Sequence, residues 1–322
     1  MVPKMRQVRT ISQNMPIREF YNKRNKVLLI RDGGGIGDIL MLRMMIEDFK
    51  DLMPDAEIII ATVPSYFNMV SSHPHVSNVV NSRELDENQY IVSYNVTSSC
   101  IRYETKIAPR ADLHRSDIWA AHCGVRLTKH NMHLKVSKEM KEFGVKFFAH
   151  IGLTKRPIIA FSPTSSMLSK DLGLKQINDV VEGVRALGCD IFILCKKPIA
   201  GVKCPMATGI NLDQWLACVD QADYVISVDT GTFHAANGLN KPTVAIYGWA
   251  DGKVYGQYHE KMILVQKHRD DIPGWCGPCF NWTHCPKCPS TEYQKPCMSE
   301  ITGKEICEAV EKLMKQYPPM TK

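Results

Sequence analysis

Residues Tyr224–Gly248 read YVISVDTGTFHAANGLNKPTVAIYG, and this stretch decides the fold class. Tyr224–Val228 is a continuous apolar run of strand length, and Asp229-Thr230-Gly231-Thr232 is a tight polar turn. A short helix follows, and Thr243–Tyr247 is a second apolar strand. Short apolar runs joined through a helix signal parallel strands buried on both faces. A strand that ends in Asp-Thr-Gly-Thr and opens a helix aims backbone N–H groups and hydroxyls at one point. That point favours an anion, typically a phosphate, at the carboxyl edge of the sheet. The plain alternative is an ordinary strand-to-helix turn.

The same grammar recurs on both sides. Upstream, Val27–Ile30 is a short strand, Arg31–Asp38 a glycine-rich loop, Ile39–Met53 a helix stopped by Pro54-Asp55, and Glu57–Val63 the next strand. Further strands fit near Val79–Val80 and Tyr90–Ser93, and Ile118–Cys123 reads as helix. After Lys155-Arg156-Pro157 a second array begins. It runs through strand Ile158–Phe161, polar loop Ser162–Lys170, helix Gln176–Leu187 closed by Gly188, and strand Asp190–Cys195. Asn211–Gln214 and Thr302–Glu305 have the form of capping boxes, opening helices to about Gln221 and Tyr317. The expectation is α/β, with two Rossmann-like doubly wound domains facing a cleft and a C-terminal helix. The segments are a basic extension 1–25, a first Rossmann-like domain 26–155, and a second 156–322.

A chain of 322 residues accommodates two ordinary cores. No run of about 18 apolar residues marks a membrane span and no apolar segment marks a signal peptide, so a cytoplasmic protein is expected. The net charge of +7 is concentrated at one end: residues 1–26 hold seven basic residues against Glu19 alone. Such an arm suits an anionic acceptor, the inner face of a membrane or nucleic acid, and a merely solvated arm is the plain alternative. Twelve cysteines include a dense set, Cys276, Cys279, Cys285 and Cys288, followed by Cys297. Paired C-x₂-C knuckles signal a structural zinc held by four thiolates, with Cys297 as a substitute ligand. Free or disulfide-paired thiols are the competing reading.

Gly33-Gly34-Gly35-Ile36-Gly37-Asp38 follows a strand and precedes a helix, but Asp38 stands where the dinucleotide fingerprint has its third glycine. A carboxylate there repels pyrophosphate and suits proton abstraction from a hydroxyl; simple capping of the helix is the alternative.

Taken together, IRDGGGIGDIL at Ile30–Leu40, SPTSSMLSK at Ser162–Lys170 and VDTGTFHAANGLNKPTVAIYG at Val228–Gly248 resemble the family 9 glycosyltransferases. These are lipopolysaccharide heptosyltransferase-like enzymes of the GT-B fold, and the three motifs fall in the family's order. The resemblance implies inverting, metal-independent transfer from a nucleotide-diphosphate sugar to an acceptor hydroxyl, with no cofactor needed for catalysis. It makes Asp38 the general base. Gly37, Ser165, Ser166, Lys170, Asp229, Thr230, Gly231, Thr232 and His234 become donor-binding residues: Lys170 offsets charge on the leaving group, and Asp229 holds sugar hydroxyls. Lys196-Lys197-Pro198 stands where the family shows glycine and then an acidic residue, which leaves the nucleobase open. Two other readings stand beside this one. One is the same donor site with a nucleic-acid base or small metabolite as acceptor; the other is a non-catalytic nucleotide-sugar-binding protein.

Overall fold

The computed structural model describes residues 25–108, 111–268, 271 and 296–319. Nearly all of the basic arm therefore lies outside the described residues, as do Cys276, Cys279, Cys285 and Cys288. Two compact units divide the chain. The first runs up to Tyr103 and adds Arg115–Leu134, and the second takes Glu104–His114 and everything from Lys135 on. This division puts residues 135–155 with the second unit, where the sequence reading places a boundary at 155.

The first unit is built on β1 (Lys26–Ile30), α1 (Ile36–Arg43), α2 (Ile46–Leu52), β2 (Glu57–Thr62), α3 (Phe67–Ser71), β3 (Asn78–Asn81) and β4 (Val92–Asn95). It is completed by α4 (Ser99–Ile107), whose last turn passes into the second unit, and α5 (Arg115–His122). Its four strands are parallel in the order β3-β2-β1-β4. The single helix expected over Ile39–Met53 is two helices. Met44 and Met45 donate to carbonyls three residues back rather than four, so the turn tightens and the α-helix is interrupted.

Arg43 stands immediately before this break. It is 1% exposed, and its guanidinium donates to the carbonyls of Met132 (2.7 Å), His133 (2.8 Å), Val70 (3.5 Å) and Met69, and to Ser72 Oγ (3.2 Å). Burial pushes its pKa down to about 10, so it remains a cation at neutral pH. No carboxylate is among these hydrogen-bond acceptors. The charge is carried by carbonyl dipoles drawn from two distant segments. Next to it on α2, Asp48 accepts the backbone N–H groups of Thr128 and Lys129 and the Thr128 hydroxyl. Buried charges of both signs therefore fasten the 128–133 segment to the two helices.

The second unit has α6 (Lys138–His150), β5 (Ile158–Ser162), α7 (Leu174–Ala186), β6 (Asp190–Leu194), β7 (Met206–Ala207), α8 (Leu212–Gln221) and β8 (Tyr224–Val228). These are followed by α9 (Gly231–Gly238), β9 (Thr243–Tyr247), α10 (Gly252–Tyr255), β10 (Met262–Gln266), α11 (Pro296–Ser299) and α12 (Gly303–Gln316). Six parallel strands run β10-β9-β8-β5-β6-β7. β5, β8 and β9 are buried at every residue, as continuous apolar runs of a doubly covered sheet should be. Both capping boxes form: the Asn211 side chain accepts from Gln214 N–H, the Thr302 hydroxyl accepts from Glu305 N–H, and each partner side chain reaches back. Cys297 is buried in this unit's core beside Met298. Among the described residues no helix is long and apolar enough to cross a membrane.

Replacing Arg43 by Met keeps the volume but strands the carbonyls it serves. We expect a loss of about 3 kcal/mol in unfolding free energy, read as a lower denaturant midpoint at unchanged slope.

Candidate functional site

In an open parallel sheet, ligand sites form where strand order reverses, beyond the carboxyl ends of the strands. In the first unit that point lies between β1 and β4, and Asp38 stands there on the first turn of α1. Its two oxygens are both occupied: Oδ2 accepts from Arg31 Nη2 at 2.8 Å and Oδ1 from Arg115 Nη1 at 2.7 Å. Arg31 ends β1, donates also to the Thr97 carbonyl after β4 (2.6 Å), and lies over the buried ring of Trp119. Gly34 makes this approach feasible. Its φ is +91°, and a Cβ there would stand 2.4 Å from Arg31 Nη2. Tyr66 Oη donates to the Gly34 carbonyl at 2.9 Å and steadies the loop.

Burial pushes the Asp38 carboxyl up, but the charges of Arg115 and Arg31, each reinforced by its hydrogen bond, outweigh it and hold the group below the usual carboxylate range. Asp38 is thus an anion inside a cluster that carries one net positive charge. Arg115 is the more accessible arginine, its side chain 24% exposed against 8% for Arg31.

In the second unit the order reverses between β5 and β8. Lys170, in the loop after β5, donates to Asp229 Oδ2 at 2.6 Å just past β8, and its Nζ lies 5.1 Å from the Trp249 ring centroid. Thr230 is the N-cap of α9, and its side chain makes no capping hydrogen bond. Gly231 and Thr232 open the helix, whose first N–H groups face outward along the axis. The loop before Lys170 is closed on itself. Ser165 Oγ accepts from Met167 N–H and donates to the Met167 carbonyl, while Ser165 N–H donates to Asp171 Oδ1 at 2.6 Å. Burial raises the Asp171 carboxyl, and the hydrogen bonds from Ser165 oppose that only in part.

The site therefore gathers Ser165, Lys170, Asp229, Thr230, Gly231 and Thr232 in one unit, with Ser166 exposed on the same loop. Gly37 is in the other unit, one residue from Asp38. Thr232 has its hydroxyl turned inward, donating to Ser162 Oγ at 3.2 Å and accepting from Trp215 Nε1 at 3.4 Å. His234 is 4% exposed and stands edge-on to Phe233 at 5.1 Å. Arg31, Arg115, Trp249 and Asp171 were not foreseen. Arg31 was legible, since it directly ends the strand before the glycines. Arg115 stands 77 residues from Asp38 and carried no local signal.

The model of glycosyltransferase family 9 (heptosyltransferase) matches residues 114–284, more than half of the chain. The chain belongs to that family. No curated protein sequence is a significant match. Among solved structures, the family 9 glycosyl transferase of Veillonella parvula is 15% identical with a TM-score of 0.69, over 92% of this chain and 98% of that one. E. coli ADP-heptose lps heptosyltransferase II is 16% identical with a TM-score of 0.67, over 90% and 99%. TibC of enterotoxigenic E. coli, a dodecameric iron-containing heptosyltransferase solved with ADP-D-beta-D-heptose, is 15% identical with a TM-score of 0.65, over 91% and 78%. These likenesses establish the GT-B fold, with its two Rossmann-like α/β domains, and the family membership makes the chain a glycosyltransferase.

Thr232→Val removes the shared partner of Trp215 and Ser162 at constant shape. We expect a cost of about 1 kcal/mol, measured by thermal unfolding.

Proposed function

We propose that this glycosyltransferase moves a sugar from a nucleotide-diphosphate donor to an acceptor hydroxyl, heptosyltransferase-like, with inversion and without a catalytic metal. The observation that carries the reading is the convergence of the Lys170 ammonium and the α9 N-terminus at the β5/β8 reversal. A fixed cation and helix-terminal N–H groups stabilise a departing diphosphate directly, the role a divalent cation plays elsewhere. An adenine nucleotide is favoured, because the related TibC is a complex with ADP-D-beta-D-heptose.

On this reading Asp38 accepts the proton of the acceptor hydroxyl. The resulting oxygen attacks the anomeric carbon opposite the diphosphate, a new C–O bond forms as the old one breaks, and the configuration inverts. Thr230 Oγ and the Gly231 and Thr232 N–H groups hold phosphate oxygens, Ser165 and Ser166 shape the loop over them, and Asp229 receives sugar hydroxyls. One observation sharpens the proton step. A carboxylate held by two arginines is a weak base, so an acceptor bearing its own negative charge is favoured. It draws the more exposed Arg115 to itself and restores the basicity of Asp38 as it lands.

The base assignment is tested by Asp38→Asn, which should abolish transfer while nucleotide-diphosphate binding, read by thermal shift, stays near wild type. Transfer at close to full rate in that variant rejects the assignment. Lys170→Ala should weaken nucleoside-diphosphate binding about 10- to 100-fold and change monophosphate binding far less. The pH dependence has a definite sign: Asp38 works deprotonated, so activity falls as pH drops through its pKa. Arg115→Met removes a charge that lowers that pKa, and the acid limb of kcat/KM should move to higher pH. A screen of ADP-, UDP- and GDP-sugars by thermal shift identifies the donor.

A further inference from the structure

We propose that Glu47, His75 and His133 form a binding site for a divalent first-row transition-metal ion of the Zn²⁺ or Fe²⁺ class. The site lies wholly within the first unit and plays no part in the sugar-transfer reading. The three side chains come from separate places: Glu47 from α2, His75 from the loop after α3, and His133 from the segment after α5. One ligand atom from each lies within 4.8 Å of the others, and all three residues are half-buried.

The geometry is already partly drawn in. His133 Nε2 and Glu47 Oε2 stand 2.7 Å apart, so the ligating faces of imidazole and carboxylate point at each other. Donors around one ion at roughly 2.0–2.2 Å stand about 3 Å from one another. A small side-chain rotation takes the three from the observed spacing to that one. His133 is held for this orientation. Its φ is +48°, its N–H donates to Asn131 Oδ1 at 2.7 Å, and its carbonyl accepts from Arg43 Nη2 at 2.8 Å. His75 is placed by the turn in which its N–H donates to His73 Nδ1 at 3.2 Å. His73 itself is 1% exposed, its ring 5.0 Å from that of His133 and 5.7 Å from that of His75, and its Nε2 meets no hydrogen-bond partner among the described residues. A third imidazole enclosed against the other two is an expensive arrangement for an ordinary Glu–His surface pair, and it suits the packed shell of a metal site.

Lys129 does not compete for the ligating position. Its Nζ is 3.1 Å from Glu47 Oε1, the carboxylate oxygen that His133 does not face, and it is tied to Asp51 as well. It orients the carboxylate from outside. Two imidazoles and one carboxylate select against Mg²⁺ and Ca²⁺, which prefer all-oxygen shells, and against soft Cu⁺. Three protein ligands leave at least one coordination position open for water or a ligand oxygen.

The test uses the full chain after chelator treatment, titrated with Co²⁺ and then Zn²⁺, against His75→Ala and Glu47→Gln. Wild type should take up one equivalent of Co²⁺ with visible bands typical of nitrogen and oxygen ligands, distinct from the intense near-ultraviolet thiolate absorption that the cysteines at 276–297 would give. Each variant should bind that equivalent at least 10-fold more weakly with an unchanged far-ultraviolet circular dichroism spectrum. Zn²⁺ should raise Tm by about 5 °C in wild type and not in the variants. Equal uptake by wild type and variants overturns the proposal. Should a variant fail to fold, the wild-type spectrum decides: nitrogen–oxygen bands support the site, while a thiolate-only spectrum or no uptake overturns it.

Discussion

A guanidinium enclosed by protein gives up its water and must recover each hydrogen bond from groups placed in its plane. Arg43 recovers them from carbonyls 26 and 89 residues away along the chain, so satisfying one side chain closes much of the first unit. The consequences run in both directions along α1. At its carboxyl end, just before the helix is interrupted, Arg43 reaches the loop after α3 and the 131–133 segment. At its amino end the same rigid helix presents Asp38 to Arg31 and Arg115. The cation also fixes the carbonyl of His133, and with it the backbone from which that imidazole meets Glu47. A residue that contacts no sugar or phosphate on the proposed reading therefore organises both chemical features of the unit.

The two sheets solve one positional problem in the same way. Strand order reverses at β1/β4 in one and at β5/β8 in the other, and at each reversal two loops diverge beyond the strand ends. Buried strands cannot carry charge cheaply, whereas these loops can, since each is anchored by a strand and free to offer polar groups. Arg31 and Thr97 come from the two loops of the first pair, Lys170 and Asp229 from the two loops of the second. The site chemistry is thus a property of the topology, with loop residues supplying its identity.

Much of this was legible locally. The apolar runs at Ile158–Phe161, Tyr224–Val228 and Thr243–Tyr247 gave parallel buried strands, and the capping patterns at Asn211 and Thr302 gave helix starts. All of these signals are contained within a few residues. The break at Met44–Met45 was not legible, because no proline or glycine marks it. The helix Lys138–His150 was missed as well. Met140, Phe143, Phe147 and Phe148 do recur at helical spacing behind the Ser137 cap, so the local signal was present and was overlooked. The Arg115–Asp38 pair and the meeting of His75 with Glu47 and His133 arise from tertiary closure. At Thr232 the hydroxyl is spent on Trp215 and Ser162 in the interior, which no local pattern signals, and its backbone N–H is the group left at the helix mouth.

Both charge clusters are held as formed pairs, and that has consequences for selectivity. A solitary ion in these half-enclosed loops would lose hydration without compensation, at a cost of several kcal/mol. Pairing Lys170 with Asp229 offsets this, and it changes what a ligand must do to enter. A neutral group offers the ammonium less than the carboxylate it would displace. A diphosphate offers more, because it brings greater charge and can also accept from the N–H groups at the start of α9. On the proposed reading the exchange releases Asp229 as a hydrogen-bond acceptor only once the diphosphate has engaged Lys170. Recognition of the sugar hydroxyls is then conditional on the phosphate end being correctly seated, and a free sugar, however well shaped, finds its carboxylate already taken.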